Sequence, residues 1–382
     1  MPRSPLVPPG PELGPEARTR FARHLLLPGI GAEGQRRLAN ARVLLIGAGG
    51  LGSPAALYLA AAGVGTLGVV DDDLVDLTNL QRQVLHGSDD VGRPKVDSAA
   101  ESLARISESA VEGHPVRLTS ENALTLVADH DLVIDGADNF PTRALVSDAC
   151  ARLGVPHVWA SVHRFDAQAS VWWAGEGPCY HCVFPTQPPP ELVPSCSIGG
   201  VMGATVGAIG SVLAVEAIKL ITGVGDPLVG LLLVHDGLAQ TWDLLPVRAD
   251  PACPVCGPDQ DPNRPLGQVG SVARDESAAH VIPEVAPADL AALLDSGAHL
   301  VDVREPGERE IIAIPGSVHV PLADVLAGAA VPDDGIVVVH CKSGGRSARA
   351  VAALRERGID ARNLTGGVLA WVEALHPHEA TY

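Results

Sequence analysis

The stretch Val43–Asp71 reads V-L-L-I-G-A-G-G-L-G-S-P-A-A-L-Y-L-A-A-A-G-V-G-T-L-G-V-V-D, and its interpretation decides the fold. The aliphatic run Val43–Ile46 suits a fully buried strand. The turn Gly47-Ala48-Gly49-Gly50-Leu51-Gly52 follows, with Ser53 and Pro54 placed to start a helix that continues through Ala55–Ala62. Thr66–Val70 is a second buried strand, closed by Asp71. Strand, glycine turn, helix, strand and acid are the order of a nucleotide-binding βαβ unit. Glycines let the backbone approach a phosphate, and the helix start offers N–H donors at a positive dipole end. The turn alone leaves a dinucleotide and ATP equally open.

Composition narrows the class. The 382 residues can hold two domains, and an aromatic content of 3% means their cores are mainly aliphatic. With 27 basic against 45 acidic residues the net charge is −18, which argues against nucleic acid or an anionic membrane as the main partner. Residues 1–15, dense in proline and glycine, read as a disordered tail without the apolar core of a signal peptide. The uncharged stretch Ile198–Val215 approaches membrane-span length. Glycines at 199, 200, 203, 207 and 210 interrupt it, however, so it reads as a buried helix. Seven cysteines without a secretory signal suggest the reducing cytoplasm, where thiols serve metals and catalysis.

Further along, Arg18–Leu38 has helical character. Pro94 starts a helix through Lys95 to Glu108, Val111–Leu118 and Asp131–Asp135 fit strands, and Pro141–Leu153 fits a helix. Val155–Ser161 and Ala167–Trp173 read as further strands, a pair that can run antiparallel. This alternation predicts an α/β fold, a Rossmann-like doubly wound sheet. Gly177–Ser197, with its proline run, reads as a long exposed loop before a glycine-spaced helix at about Ile198–Ile221. Strands Leu231–His235 and Ala239–Leu244 precede C-P-V-C. Residues 258–280 read as a linker. A small α/β domain over 281–382 follows, with helix Ala286–Ser296, strands Leu300–Val303 and Ile336–His340, and helix Ser347–Gly358.

Polar residues fall where strands of the first sheet end. Asp71 stands where an acid bonds ribose hydroxyls, which suits nicotinamide and adenylate sites alike. Arg82 and Lys95 then add two cations. Hydride transfer has little use for them, whereas nucleotidyl transfer builds charge on a leaving pyrophosphate. Asp138 can hold Mg²⁺. Cys179/Cys182 and Cys253/Cys256 are two C-x-x-C pairs, a spacing that suits a four-thiolate Zn²⁺ site better than a redox pair. Cys196 stands just before a helix, where a thiol is activated, so it is a candidate nucleophile or simply a buried thiol.

The blocks G-A-G-G-L-G, D-D-D-L-V-D-L-T-N-L-Q-R-Q, G-R-P-K and G-A-D-N together resemble the MoeB/ThiF family of ubiquitin-activating-type adenylyltransferases, over about residues 16–257. The resemblance implies that the C-terminal glycine carboxylate of a ubiquitin-like sulfur carrier, ending in Gly-Gly, attacks the α-phosphate of ATP. It implies a nucleotide site of Gly47, Gly49, Gly50, Gly52, Asp71, Asn79, Arg82, Lys95 and Asp138. Arg23 matches an arginine contributed by a partner subunit, implying a homodimer. The family usually has glutamine where His24 stands. It also places a cysteine at Cys196 that can link to the carrier or to sulfur. Such carriers serve molybdopterin, thiamine and cysteine synthesis and tRNA thiolation.

In the second domain Val337–His340 precedes Cys341-Lys342-Ser343-Gly344-Gly345-Arg346, a loop that aims successive N–H groups at the sulfur while Lys342 and Arg346 add positive charge. With D-V-R-E upstream and I-P-G-S-V-H-V-P-L, it resembles a rhodanese domain, and the six-residue loop has the sulfurtransferase length. The combination implies that a Cys341 persulfide attacks the carrier acyl-adenylate and that reductive cleavage, by Cys196, releases a thiocarboxylate. A cysteine desulfurase or thiosulfate would supply the sulfur. An NAD-dependent oxidoreductase fused to a rhodanese would leave Arg82 and Lys95 without purpose. A non-catalytic zinc-stabilised scaffold would carry no persulfide.

Overall fold

Strand β1, Arg42–Ile46, is buried along almost its whole length and lies at the centre of the first sheet. The computed structural model describes residues 3–187, 200–268, 282–376 and 378. The chain forms two units, Met1–Ala273 and Arg274–Tyr382. In the first, β1 is joined by β2 (Thr66–Val70), β3 (Ala110–His114), β4 (Leu132–Asp135), β5 (His157–His163), β6 (Asp166–Trp172), β7 (Leu231–Asp236) and β8 (Thr241–Pro246). The order is β3-β2-β1-β4-β5-β6-β7-β8. Pairing is parallel from β3 to β5 and antiparallel from β5 to β8. The order reverses between β1 and β4, which opens a crevice beyond their carboxyl ends.

The expected doubly wound sheet is present, and the differences from expectation lie at its margins. The helical run over Arg18–Leu38 is three helices, Pro15–Arg20, Ala22–Leu25 and Gly31–Asn40. The L-P-G-I-G segment breaks it, with Gly29 and Gly31 at φ +89° and +55°. Residues 3–14 are not a loose tail. An extended proline-rich segment keeps its carbonyls free, and Arg37, Asn40 and Arg36 donate to those of Val7, Pro8 and Gly10. The Leu6 N–H bonds Leu220 O at 2.9 Å, and Val7 is buried in the main core. The segment expected to be an exposed loop begins buried, because Cys179, Tyr180 and His181 pack inward. Tyr180 joins Trp159, Trp172 and Phe184 in an aromatic cluster. The rest of that loop, residues 188–199 with Cys196, lies outside the described residues.

The glycine-spaced helix runs Gly203–Thr222. It is long and apolar enough to cross a membrane by length and composition, yet 56% of its most apolar window is buried, against the sheet and the Gly52–Ala61 helix. The linker begins later than expected. Arg264 and the Gly267 N–H bind Asp148 Oδ2 at 3.2 and 2.7 Å, and Leu266 packs beside Cys150, so the chain stays on the first unit to at least Gly267.

The second unit holds a five-stranded parallel sheet. Its strands are β9 (Glu284–Val285), β10 (His299–Asp302), β11 (Val318–His319), β12 (Val337–His340) and β13 (Ala361–Leu364), in the order β11-β10-β12-β13-β9. The expected helix at Ala286–Ser296 is a 3₁₀ turn, Pro287–Asp289, followed by the helix Leu290–Asp295. The helix after the cysteine loop runs Gly345–Glu356.

Candidate active sites

The glycine turn closes on itself. A Cβ on Gly52 would sit 1.9 Å from Gly47 O, and Gly47 itself is at φ +91°, so neither tolerates a side chain. Gly52 thereby lets the Gly52–Ala61 helix start hard against the end of β1. Gly47, Gly49 and Gly50 line a cleft of about 270 Å³ at the switch point, whereas Gly52 supports the turn from behind.

Asp71, Arg82, Lys95 and Asp138 all line the same cleft, brought there from the ends of β2 and β4 and from the segments after β2. Asp71 Oδ2 accepts from the Ala48 N–H at 2.8 Å, and Oδ1 accepts from the Asp73 N–H at 2.9 Å. Burial pushes its carboxyl up, against the pull of Lys95. The Lys95 side chain is buried, with Nζ 2.6 Å from Asp73 Oδ2 and 3.9 Å from Asp71 Oδ1. Among the described residues the Arg82 side chain bonds only the Thr78 carbonyl, at 3.1 Å, and Asp138 is exposed at the cleft. Asn79 is not a cleft-lining residue. Its carbonyl instead accepts from the N–H groups of Arg82 and Gln83, each at 3.0 Å, shaping the turn that presents Arg82. Arg23 is exposed on the Ala22–Leu25 helix, outside the lining.

The sequence reading missed the groups that hold these loops. Ala48, in the glycine turn, is gripped at both backbone groups. Asp71 takes its N–H, and His86 Nε2 lies 3.0 Å from its oxygen. A carbonyl only accepts, so Nε2 carries the proton and Nδ1 faces the Ser98 hydroxyl at 2.8 Å. Burial pushes the His86 pKa down, consistent with a neutral ring. Ala137, in the Asp138 loop, is held in the same manner. Its N–H donates to Asp135 Oδ1 at 2.9 Å, and its oxygen accepts from Arg143 Nε and Nη2 at 3.2 and 3.1 Å. His157 Nε2 holds the other Asp135 oxygen at 3.0 Å, with both residues fully buried. Arg143, one turn into the helix that Asn139 caps, carried a signal in D-N-F-P-T-R; His86 carried none.

The two C-x-x-C pairs converge. Cys179 Sγ lies 3.7 Å from Cys182 Sγ and 3.6 Å from Cys253 Sγ, and Cys182 and Cys256 are 3.3 Å apart. All four sulfurs lie within 4.8 Å of one another. A tetrahedron with Zn–S bonds of about 2.3 Å has edges of about 3.8 Å, so the donor set fits zinc closely. Gly257 N–H returns to Cys253 O at 2.9 Å, closing the second knuckle. His181, between two of the cysteines, turns to Asp148 instead.

In the second unit Cys341 follows β12 and is buried in its loop. Its sulfur accepts from the Gly344 N–H at 3.2 Å and lies 3.3 Å from Ser347 Oγ. The loop backbone is braced from behind. The Val368 and Leu369 N–H groups bond the oxygens of Cys341 and Lys342, and a Cβ on Gly367 would fall 2.5 Å from Cys341 O. The expected contribution of Arg346 needs correction. Its guanidinium forms a two-pronged pair with Glu308, 2.6 Å at each contact, which offsets its charge. Lys342 is buried, while Ser343 and Gly345 face outward. The groups donating to the sulfur are the Gly344 N–H and the Ser347 hydroxyl.

The ThiF family model matches residues 21–255, and the rhodanese-like domain model matches residues 286–374. A probable adenylyltransferase/sulfurtransferase MoeZ of Mycobacterium tuberculosis is 46% identical, covering 99% of this chain and 98% of that relative. The mouse adenylyltransferase and sulfurtransferase MOCS3 is 42% identical over 98% of this chain and 90% of its own. A sulfur carrier protein adenylyltransferase of Thermus thermophilus is 49% identical over 66% of this chain and 94% of its own. Among solved structures, E. coli MccB with ATP matches at a TM-score of 0.56 and 25% identity, covering 64% of this chain and 76% of that one.

Proposed function

This chain belongs to the ThiF family and carries a rhodanese-like domain, and from that premise we propose that it both activates and sulfurates a small carrier protein. It is an adenylyltransferase and a sulfurtransferase in one polypeptide. The observation that carries the reading is the pairing, in one chain, of a cation-lined glycine-turn cleft with a buried cysteine in a six-residue N–H-rich loop.

In the first activity the carrier's C-terminal glycine carboxylate attacks the α-phosphorus of ATP. The P–O bond to pyrophosphate breaks, leaving an acyl-adenylate. Asp71 holds the ribose, Arg82 and Lys95 offset charge on the leaving pyrophosphate, and the glycine turn lets the phosphates approach the helix start. Asp138, exposed at the cleft, would hold Mg²⁺. Arg23 would reach the cleft of a second copy. The outer face of the Gly203–Thr222 helix, where Ala204, Ala208 and Val215 are exposed, supports such a homodimer. Cys179, Cys182, Cys253 and Cys256 would hold a structural zinc ion that ties the Tyr180–Val183 turn to the end of the first sheet.

In the second activity the terminal sulfur of a Cys341 persulfide attacks the acyl carbon and AMP leaves, giving an acyl disulfide. A second thiol, assigned to Cys196, then attacks the Cys341 sulfur. The carrier departs as a thiocarboxylate, and a Cys341–Cys196 disulfide remains for an external thiol to reduce. A cysteine desulfurase or thiosulfate charges Cys341, in the reducing cytoplasm. The test is pyrophosphate exchange into ATP that depends on a Gly-Gly-ending carrier. Exchange that proceeds equally without carrier, or that survives Asp138→Ala, would contradict the first assignment.

A further inference from the structure

The cleft holds a buried cation that the phosphate chemistry leaves over. Arg143 is 7% exposed and lines the cleft, yet no carboxylate among the described residues lies within salt-bridge reach of it. Its Nε and Nη2 both point at Ala137 O, and the rings of Phe140 and Trp159 lie 5.5 and 5.9 Å from the guanidinium carbon. Nη1 has no protein partner among the described residues. The nearby Asp135 is already committed, one oxygen to the Ala137 N–H and the other to His157. Lys95, by contrast, rests on Asp73 and Asp71 until a phosphate arrives.

A desolvated guanidinium without a counterion is costly, so such a site calls for an anion. The reaction brings two anions into one cleft. The triphosphate takes Lys95 and Arg82 on the β1–β2 side, and a carboxylate nucleophile must approach against that charge. Arg143 sits across the switch point, on the helix that follows β4, and its planar fork is fixed in orientation by the Ala137 carbonyl and two rings. We propose that Arg143 is the carboxylate-binding residue, which seats the free C-terminus of an extended peptide beside the nucleotide. This deepens the activation reading above and rests on it.

The test compares two ligands in the presence of a non-hydrolysable ATP analogue: the carrier with its free C-terminal carboxylate, and the same carrier ending in a carboxamide. Wild-type protein should bind the acid at least about tenfold tighter than the amide. Arg143→Gln should bring the two within about twofold and Arg143→Lys should keep part of the preference, each read as the acid-to-amide affinity ratio with the analogue saturating, so that any change in nucleotide affinity through the Ala137 loop cancels. An undiminished acid preference in Arg143→Gln would overturn the proposal. The wild-type comparison needs no folded variant: equal affinity for acid and amide overturns the proposal directly. A carrier that neither binds nor stimulates exchange with wild-type protein defeats the activation reading itself, an outcome distinct from the others.

Discussion

Two loops, each placed between a central parallel strand and a helix, carry the chemistry of this chain. After β1 the loop Gly47–Gly52 offers only backbone, and the side chains proposed to act on the nucleotide line the cleft from other segments: Asp71, Arg82, Lys95 and Asp138. After β12 the loop carries the proposed nucleophile, Cys341, itself, with Gly344 and Ser347 at its sulfur and Gly367 against its carbonyl. The difference follows from the reactant that must be held. A nucleotide brings its own reacting atoms, so the loop has only to clear space for phosphates. A persulfide is built on the protein, so the loop has to present an atom.

That contrast can be broken by substitution. The largest effect is expected at Cys341→Ser, which should abolish sulfur transfer by on the order of a thousandfold or more while leaving carrier-dependent pyrophosphate exchange at the wild-type rate. A parallel loss of exchange would mean that the two loops do not act separately. In the other direction, Lys95→Ala should slow exchange by roughly a hundredfold to a thousandfold, the usual result of removing one group that stabilises developing charge. Persulfide formation on Cys341, read by mass spectrometry, should be unchanged.

The second unit should also lose stability in acid. Burial drives His340 down from an ordinary value of 6.5 to about 4, with Nε2 3.7 Å from Asp302. Between those values the unfolded chain binds a proton that the folded ring refuses. Stability is therefore complete above 6.5 and falls by about 3 kcal/mol as the pH drops towards 4. Hydrogen exchange at Val337–His340 across that window reads the loss directly, and a His340→Leu variant with the same pH slope would refute the cause.

The smallest expected effects separate the glycines of the two loops. Gly52→Ala places a methyl group 1.9 Å from Gly47 O and should cost about 1–3 kcal/mol in a denaturant melt. Gly345→Ala meets no atom within 4 Å, lies at the start of a helix, and should be neutral or slightly stabilising. Equal costs at the two positions would remove the distinction between a closed turn and an open one.

Much of this was legible in sequence because it is local. Strand Thr66–Val70 was read to the residue, and the C-x-x-C spacing pointed to the four-cysteine cluster. What escaped depends on partners distant in the chain. His86 reaches back to Ala48, Arg346 finds Glu308, and the N-terminal carbonyls find donors on the Gly31–Asn40 helix. Proline-rich composition resembles that of a tail, and only the donors waiting on that helix make it a strap. D-N-F-P-T-R places Arg143 one turn into a capped helix, but nothing local shows that its charge lacks a counterion.

The central claim, that one chain activates a carrier and then sulfurates it, meets its most direct test in the mass of the carrier's C-terminus. Carrier, ATP, a sulfur donor and an external thiol should yield, with wild-type protein, the mass shift of one oxygen replaced by sulfur. With Cys341→Ser the same mixture should consume ATP and form acyl-adenylate but no thiocarboxylate. Undiminished thiocarboxylate from the Cys341→Ser protein, or none from wild type under conditions that support exchange, would contradict the account.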